Sequence, residues 1–264
     1  CSLYIRLFFH YFYHTYMIAI ISDIHSNFEV LKQFAKSRKT AGVKRTYCLG
    51  DVVGYGPDPN RCIDTLNKLK IQSVMGNHDY FSASDDSLRD FNLNALNSIV
   101  WTRATLSKKN RLWLQTLPYS LDFSVNKDVT LNFSHSNLTN FSKWTYIDNV
   151  DIAEEEMRNC STKLNFIGHT HKPVAYKCYD NSCEELPLVE DESISLDSSS
   201  KWLINAGSLG QPRDGNNGGS YILYDESRHS IMLKRIRYDY MKTARKIIAQ
   251  GLPEKNASRL SSGS

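Results

Sequence analysis

Three times in the first eighty residues, a short apolar run stops at a polar pair and gives way to a helical pattern. Met17-Ile-Ala-Ile-Ile21 stops at Ser22-Asp23, residues 45–49 stop at Gly50-Asp51, and residues 71–75 stop at Gly76-Asn77. Runs of this length between turn residues read as buried strands. Between them, Phe28, Leu31, Phe34 and Ala35 recur at helical spacing behind Asn27, which reads as a helix cap. Cys62, Ile63, Leu66 and Leu69 recur behind Asp58-Pro59, a cap followed by proline at the first helical position. Strand, loop and helix repeated in this way imply parallel strands with right-handed crossovers, and such sheets gather their ligands at the carboxyl ends of strands.

The remaining chain reads less regularly. Residues 80–117 carry apolar positions at helical spacing, among them Leu93, Leu96, Ile99, Val100, Leu112 and Leu114. From 119 onward short strands dominate, at 120–125, 129–133, 164–167, 174–179, 202–205, 220–224 and 231–237, with a helix over 152–158. Residues 184–200, rich in Glu, Asp and Ser, read as a mobile hairpin loop, and a helix over 240–250 ends at Gly251 and Pro253. No internal repeat and no linker interrupts the pattern. One domain is therefore expected over 17–250, with 251–264 as a frayed tail. Residues 1–16, aromatic-rich but broken by Arg6, His10 and His14, lack a signal-peptide cleavage pattern and are too short and polar to span a membrane. They read as a non-native or disordered extension ahead of Met17.

Composition narrows the partners. A chain of 264 residues builds a core without disulfides, and 41% apolar with 23% charged residues is ordinary for a soluble globular protein. The net charge of +4, from 32 basic and 28 acidic residues, is mixed along the chain and too weak to argue for an obligate nucleic-acid partner, and no membrane partner is expected. The six cysteines include no C-x-x-C pair. Cys178 and Cys183 flank a turn-like Asp180-Asn181-Ser182, but no disulfide framework or zinc finger follows, and a reducing, cytoplasmic compartment is the simplest fit.

Five polar clusters follow predicted strands in order: Asp23-x-His25, Gly50-Asp51, Gly76-Asn77-His78-Asp79, His135, and Gly168-His169-x-His171. They hold five of the eight histidines. Any one alone reads as an ordinary turn, cap or satisfied histidine; all five at strand ends do not. Asp-x-His and His-x-His place alternate side chains on one side of an extended segment. Carboxylate, amide and imidazole together suit divalent ions of intermediate hardness. Glycines beside Asp51, Asn77 and His169 permit unusual backbone angles and close approach.

This set, in this order, resembles the calcineurin-like metallophosphoesterase superfamily over Met17 to about Tyr224. Gly50-Asp-Val-Val-Gly-Tyr-Gly-Pro-Asp-Pro59 and Asn205-Ala-Gly-Ser-Leu-Gly-Gln-Pro-Arg213 resemble its small prokaryotic phosphodiesterase-like branch. The resemblance implies an α/β fold, a four-layer α/β/β/α sandwich of two mixed sheets flanked by helices. It implies two divalent ions, Mn²⁺ first, with Fe²⁺, Zn²⁺ and Ni²⁺ also suited to the ligand set. Asp23, His25 and His171 would hold one ion, Asn77, His135 and His169 the other, and Asp51 would bridge them. A hydroxide on the ions would attack a phosphodiester or phosphomonoester in line. His78 would sit beside the phosphate, stabilising charge or protonating the leaving oxygen, with Asp79 orienting it by a hydrogen bond.

The phosphoprotein-phosphatase branch carries G-D-x-V-D-R-G and G-N-H-E; here the segments are Gly50-Asp-Val-Val-Gly-Tyr-Gly56 and Gly76-Asn-His-Asp79, without that arginine. Arg213 is the candidate substrate contact in its place, with a structural turn arginine as the other reading. Tyr55 reads as a packed loop aromatic, with a cleft-lining role as the other reading, and Trp101 and Trp113 read as helix packing, with a substrate cap as the other reading. The expected function is hydrolysis of a small phosphorylated compound or nucleotide. The alternatives are a phosphoesterase on nucleic acid or phosphoprotein, and a non-catalytic metal-binding scaffold of the same fold.

Overall fold

The computed structural model describes residues 17–89, 91–180 and 182–264; the extension over 1–16 and Asn181 of the anticipated turn lie outside the described residues. Among them the chain runs β1 (Met17–Ile21), α1 (Phe28–Thr40), β2 (Val43–Cys48), α2 (Pro59–Leu69), β3 (Gln72–Ser73), α3 (Asn77–Ala83), α4 (Leu93–Thr105), α5 (Lys108–Gln115), β4 (Ser120–Ser124) and β5 (Thr130–Ser134). It continues through α6 (Val150–Arg158), β6 (Leu164–Ile167), β7 (Pro173–Tyr179), β8 (Ser182–Pro187), β9 (Ser193–Ser195), β10 (Lys201–Ala206), β11 (Gly219–Asp225), β12 (Ser230–Ile236), α7 (Tyr240–Ala249) and α8 (Glu254–Ser262).

The strands form two mixed six-stranded sheets, ordered β3-β2-β1-β11-β12-β9 and β4-β5-β6-β10-β7-β8. β1, β2 and β3 are parallel, as are β5, β6 and β10. Side-chain alternation explains the layering. Ile18 and Ile20 of β1 pack between the sheets with Phe133, Phe166, Ile204 and Tyr224, while Ala19 and Ile21 face Val30, Leu31 and Phe34 of α1 and Cys62, Ile63 and Leu66 of α2. The outer face of the second sheet, with Ile167, Tyr176 and Leu203, is covered by Ala153 and Met157 of α6. Helix, sheet, sheet, helix is the expected sandwich. It turns the carboxyl ends of both parallel sets toward one edge.

Four expectations change. Asn27 caps α1 through its side chain, as read, but Asp58 makes no side-chain cap; it pairs instead with Lys246 of α7 at 2.7 Å. The third strand shrinks from five residues to Gln72–Ser73. Residues 184–200 are not a free loop: β8 and β9 lie in them as the outermost strands of the two sheets. Their charge hid them, because edge strands carry polar side chains on exposed faces and so lose the apolar alternation. Cys178 and Cys183 are directly opposed across the β7–β8 hairpin and form a disulfide, whereas Cys48, Cys62 and Cys160 are free and buried. No described helix is long and apolar enough to cross a membrane.

The expected frayed tail is also overturned. α8 closes a small core in which Leu252, Ala257 and Leu260 meet Ile247 of α7 and Trp101 of α4. Asn256 is fully buried and donates to the Tyr55 carbonyl (3.0 Å) and Ser98 Oγ (3.0 Å). Removing residues 252–264 is expected to lower the unfolding free energy by roughly 3–6 kcal/mol, from two buried leucines at about 1.5–3 kcal/mol each. A denaturant midpoint unmoved by the truncation would return the segment to a frayed tail.

Candidate metal centre

Each predicted cluster sits where the sequence places it, just beyond a strand. Asp23 and His25 follow β1, Asp51 follows β2, Asn77 and His78 follow β3, His135 follows β5, and His169 and His171 follow β6. The loops continue the sheet's hydrogen bonding past the strand ends: Asp23 N–H donates to the Gly50 carbonyl (3.1 Å), His25 N–H to that of Asp51 (2.9 Å), and Gly168 N–H to that of His135 (3.0 Å). Asp23, His25, Asp51, His169 and His171 all adopt left-handed backbone conformations, with φ between 47° and 68°. Such strain in non-glycine residues persists only where surrounding structure holds it, and it clusters at functional sites. Gly168 is demanded by packing, since a Cβ there would lie 1.9 Å from Ser22 Oγ and 2.5 Å from Asp23 Oδ2.

The side chains converge in two buried groups, Asp23 with His25 and His171, and Asp51 with His135 and His169, the donor atoms of each lying within 4.8 Å of one another. Asp23 Oδ1 is 3.2 Å from His171 Nε2 and 3.6 Å from His25 Nε2. Asp51 Oδ2 is 3.6 Å from His25 Nε2 and 3.4 Å from His135 Nε2, so it touches both groups. Its other oxygen accepts the His78 N–H at 2.8 Å.

The outer ring nitrogens assign the tautomers. Nδ1 of His25, His135 and His171 faces the carbonyls of Val53 (3.0 Å), Leu49 (2.8 Å) and Gln211 (2.6 Å), so each must carry the proton there. Wherever such a ring is neutral, its inner Nε2 presents a lone pair. The Nε2 atoms of His25 and His171 lie 3.1 Å apart, and that of His135 lies 3.1 Å from His169 Nδ1. Asp23 Oδ1 and Asn77 Oδ1 are buried without a hydrogen-bond donor. Buried acceptors that face one another without donors are costly, and cations between them remove that cost. The two buried Asp/His groups thus fit a dinuclear centre.

The charge balance agrees. Burial pushes the Asp23 and Asp51 carboxyls up, but the imidazoles around them prevail and hold both well below the usual carboxylate range. Burial pulls the His169 and His171 imidazoles down to about 3 and about 4. Burial opposes protonation of His135 too, but the Asp51 charge outweighs it and lifts that group to about 9.

His78 and Asp79 depart from expectation in one respect. Asp79 does not orient the His78 ring. Its carboxylate accepts the backbone N–H of Val53 (3.1 Å) and Gly76 (3.1 Å), tying the loop after β2 to the turn that opens α3. Burial and the Asp51 charge push it up to about 7. The His78 ring is held by packing, against Tyr55 (4.4 Å between centroids), His25 (5.0 Å) and Phe91 (6.0 Å). Gly54, at φ +92°, passes so close that a Cβ would meet His78 Nδ1 at 2.5 Å. That Nδ1 is buried and partnerless, and burial pulls the ring's pKa well down.

Around this centre lie residues that the sequence did not single out. Tyr146 stacks on His169 (4.1 Å), while Trp144, Phe81 and Phe91 continue an aromatic wall toward His78. No periodicity marks 144–146, so only folding reveals them. Tyr55 is a packed aromatic, as read, and it also forms part of the cleft. Trp101 and Trp113 pack in cores away from the donors, as expected. Arg213 N–H donates to the His171 carbonyl (3.2 Å), which brings that residue beside the first group. A separate cavity of about 700 Å³, lined by Val129, Leu164, Trp202 and His229 among others, opens at the amino ends of β5, β6 and β10, away from these donors.

Two facing mixed sheets with buried Asp/His groups at their carboxyl ends define a metallophosphoesterase fold. A family model for the calcineurin-like phosphoesterase superfamily domain matches residues 17–229, and the chain belongs to that superfamily. It is 40% identical over 246 residues to an uncharacterized protein of Methanocaldococcus jannaschii, covering 92% of this chain and 97% of the relative. A metallophosphoesterase structure from Sphaerobacter thermophilus superposes with a TM-score of 0.77 at 30% identity, over 95% of this chain and 100% of the other. A hypothetical protein from Pyrococcus horikoshii shares the fold, with a TM-score of 0.74 at 18% identity over 94% of this chain and 98% of the other. Family and donor groups together support a metal-dependent phosphoesterase.

Proposed function

We propose that this chain hydrolyses a small phosphodiester or phosphomonoester with two divalent ions, manganese foremost, and with His78 acting on the substrate. The observation that carries the reading is the convergence of buried acceptors: the inner Nε2 atoms of His25 and His171 lie 3.1 Å apart, and Asp23 Oδ1 and Asn77 Oδ1 are buried without a hydrogen-bond donor. Asp23, His25 and His171 would hold one ion, Asn77, His135 and His169 the other, with Asp51 between. Bound ions would supply Lewis-acid activation of water and of the phosphoryl oxygens.

The chain's own residues do the rest. The carbonyls of Val53, Leu49 and Gln211 fix the ring orientations of three ligand histidines, as outer partners of metal-binding imidazoles commonly do. Asp51, by accepting the His78 N–H, sets His78 at a fixed offset from the centre. The His78 ring, packed and without an internal acceptor, would give its proton or a hydrogen bond to a substrate oxygen. Tyr55 and Phe91 keep water from its flanks.

Purified protein should hydrolyse bis-(p-nitrophenyl) phosphate or p-nitrophenyl phosphate with added Mn²⁺ and lose that turnover to chelator. The preferred ester separates diesterase from monoesterase. Folded protein that binds two ions and cleaves neither ester, nor any phosphorylated metabolite in a panel, would favour the scaffold reading instead.

A further inference from the structure

The loop between β5 and α6 carries two aromatic residues that the hydrolytic chemistry does not use. The loop is tied down on both sides. Asn137 Oδ1 accepts the Thr145 N–H (2.8 Å), Ser136 Oγ donates to the Thr145 carbonyl, and Glu156 of α6 accepts from Asn137 Nδ2 (2.6 Å) and the Leu138 N–H (2.8 Å). Leu138 and Ile147 are buried beside Ala153 and Met157 of the same helix. With both backbone groups of Thr145 held, its neighbours Trp144 and Tyr146 are fixed in place.

Tyr146 stacks on His169, with 4.1 Å between ring centroids and 26° between planes. It is nevertheless 52% exposed, and His169 is the one ring it meets among the described residues, so its outer face lies open. From Trp144 a band of rings runs on to the other side of the centre. Phe81 lies 5.7 Å from Trp144, Phe91 4.8 Å from Phe81, and His78 6.0 Å from Phe91. Tyr80, Phe81 and Tyr119 meet the Trp144 ring at interplanar angles between 40° and 60°, so none of them lies flat on it. Trp144 also has φ +47°, and its Nε1 is buried without an acceptor. Strained backbone of this kind concentrates at ligand clamps, and a buried donor left unmet calls for a partner. A half-exposed aromatic side chain beside a metal centre buries its remaining apolar face only when a flat group covers it, and any planar base or aryl ring can do so.

We propose that Tyr146 and Trp144 form a stacking platform for a planar aromatic group of the substrate, which is then a phosphoester of a nucleoside or an aryl compound. Its being a substrate rests on the hydrolytic reading above; the platform itself does not. The phosphoryl group would occupy the metal centre while the ring lies along the loop between β5 and α6.

Phenylphosphonate and methylphosphonate test this, because they share an anionic head on a carbon–phosphorus bond that hydrolysis leaves intact and differ in the ring. Calorimetry on the full chain with Mn²⁺ should show the ring-bearing ligand binding more tightly. Tyr146→Ala should weaken phenylphosphonate about fivefold to a hundredfold, the range for losing one ring stack, and leave methylphosphonate unchanged. Tyr146→Phe should restore the difference. Phenylphosphonate should also quench tryptophan fluorescence, and Trp144→Phe should abolish that quench while Trp202→Phe, at the opposite edge of the sheets, keeps it. Adenosine monophosphate against ribose 5-phosphate, read on mixing, repeats the comparison with a nucleobase, and the tighter of the two ring-bearing ligands names the source of the ring. Equal binding of ligands with and without a ring overturns the proposal. So does equal weakening of both phosphonates by Tyr146→Ala, which would make Tyr146 a support for His169, and so does a quench lost in Trp202→Phe but kept in Trp144→Phe. If the ring preference appears but no ester is cleaved, the hydrolytic reading fails and the platform stands.

Discussion

Asp51→Asn is expected to end the binding of two divalent ions per chain and to cut Mn²⁺-dependent turnover roughly 1000-fold, about 4 kcal/mol of barrier. Asp51 lies within reach of both donor groups: Oδ2 faces His25 and His135, and Oδ1 accepts the His78 N–H. An amide cannot do both. With its NH₂ toward the imidazoles it puts a donor where a cation belongs. Turned the other way, it sets donor against donor at the His78 N–H. Metal analysis of dialysed protein reads the stoichiometry directly.

Thermal stability gives a second, activity-independent reading of the same variant. An ion at a hundred times its Kd stabilises the folded state by about 2.7 kcal/mol. For a chain of this size that raises the unfolding midpoint by roughly 5–10 °C. Mn²⁺ should produce this shift in wild type and not in Asp51→Asn. A variant that retains two ions, the thermal shift and wild-type turnover would sink the bridging role.

His78→Ala is expected to lower kcat by roughly 10²- to 10⁴-fold, the range for losing a positioned acid or base, while two ions stay bound. The ion binding survives because His78 meets the donor groups through its backbone N–H to Asp51, which alanine keeps. If the ring protonates the leaving oxygen, the loss will be smaller for p-nitrophenyl esters, whose leaving group needs no proton, than for alkyl esters. His229→Ala is the control: that ring bonds the Tyr224 hydroxyl (3.0 Å), away from the donors. Wild-type kcat in His78→Ala across both ester types would remove His78 from the chemistry.

Much of the fold was legible in the chain. The β1, α1 and β2 periodicities, the caps and the glycines are local signals, and the elements formed within a few residues of where they were expected. β8 and β9 were missed because edge strands with acidic faces carry no apolar alternation. α8 was missed because Glu254–Ser262 is polar along most of its length, with only Ala257 and Leu260 as buried apolar positions.

The sequence by itself determined where the donor residues stand along the chain, since each motif ends a strand and parallel strands must deliver their carboxyl ends to one edge. It also determined that the donors are oxygen and imidazole. The tertiary structure alone decided which groups face which. It placed Asp51 between two donor groups and turned Asp79 from His78 toward two backbone amides. It opposed Cys178 to Cys183, and it brought Asn256 to the Tyr55 loop. Asn256 and Tyr55 are 201 positions apart. Contacts of that range leave no local periodicity, because they arise only when separately folded layers pack and their leftover polar atoms must find partners.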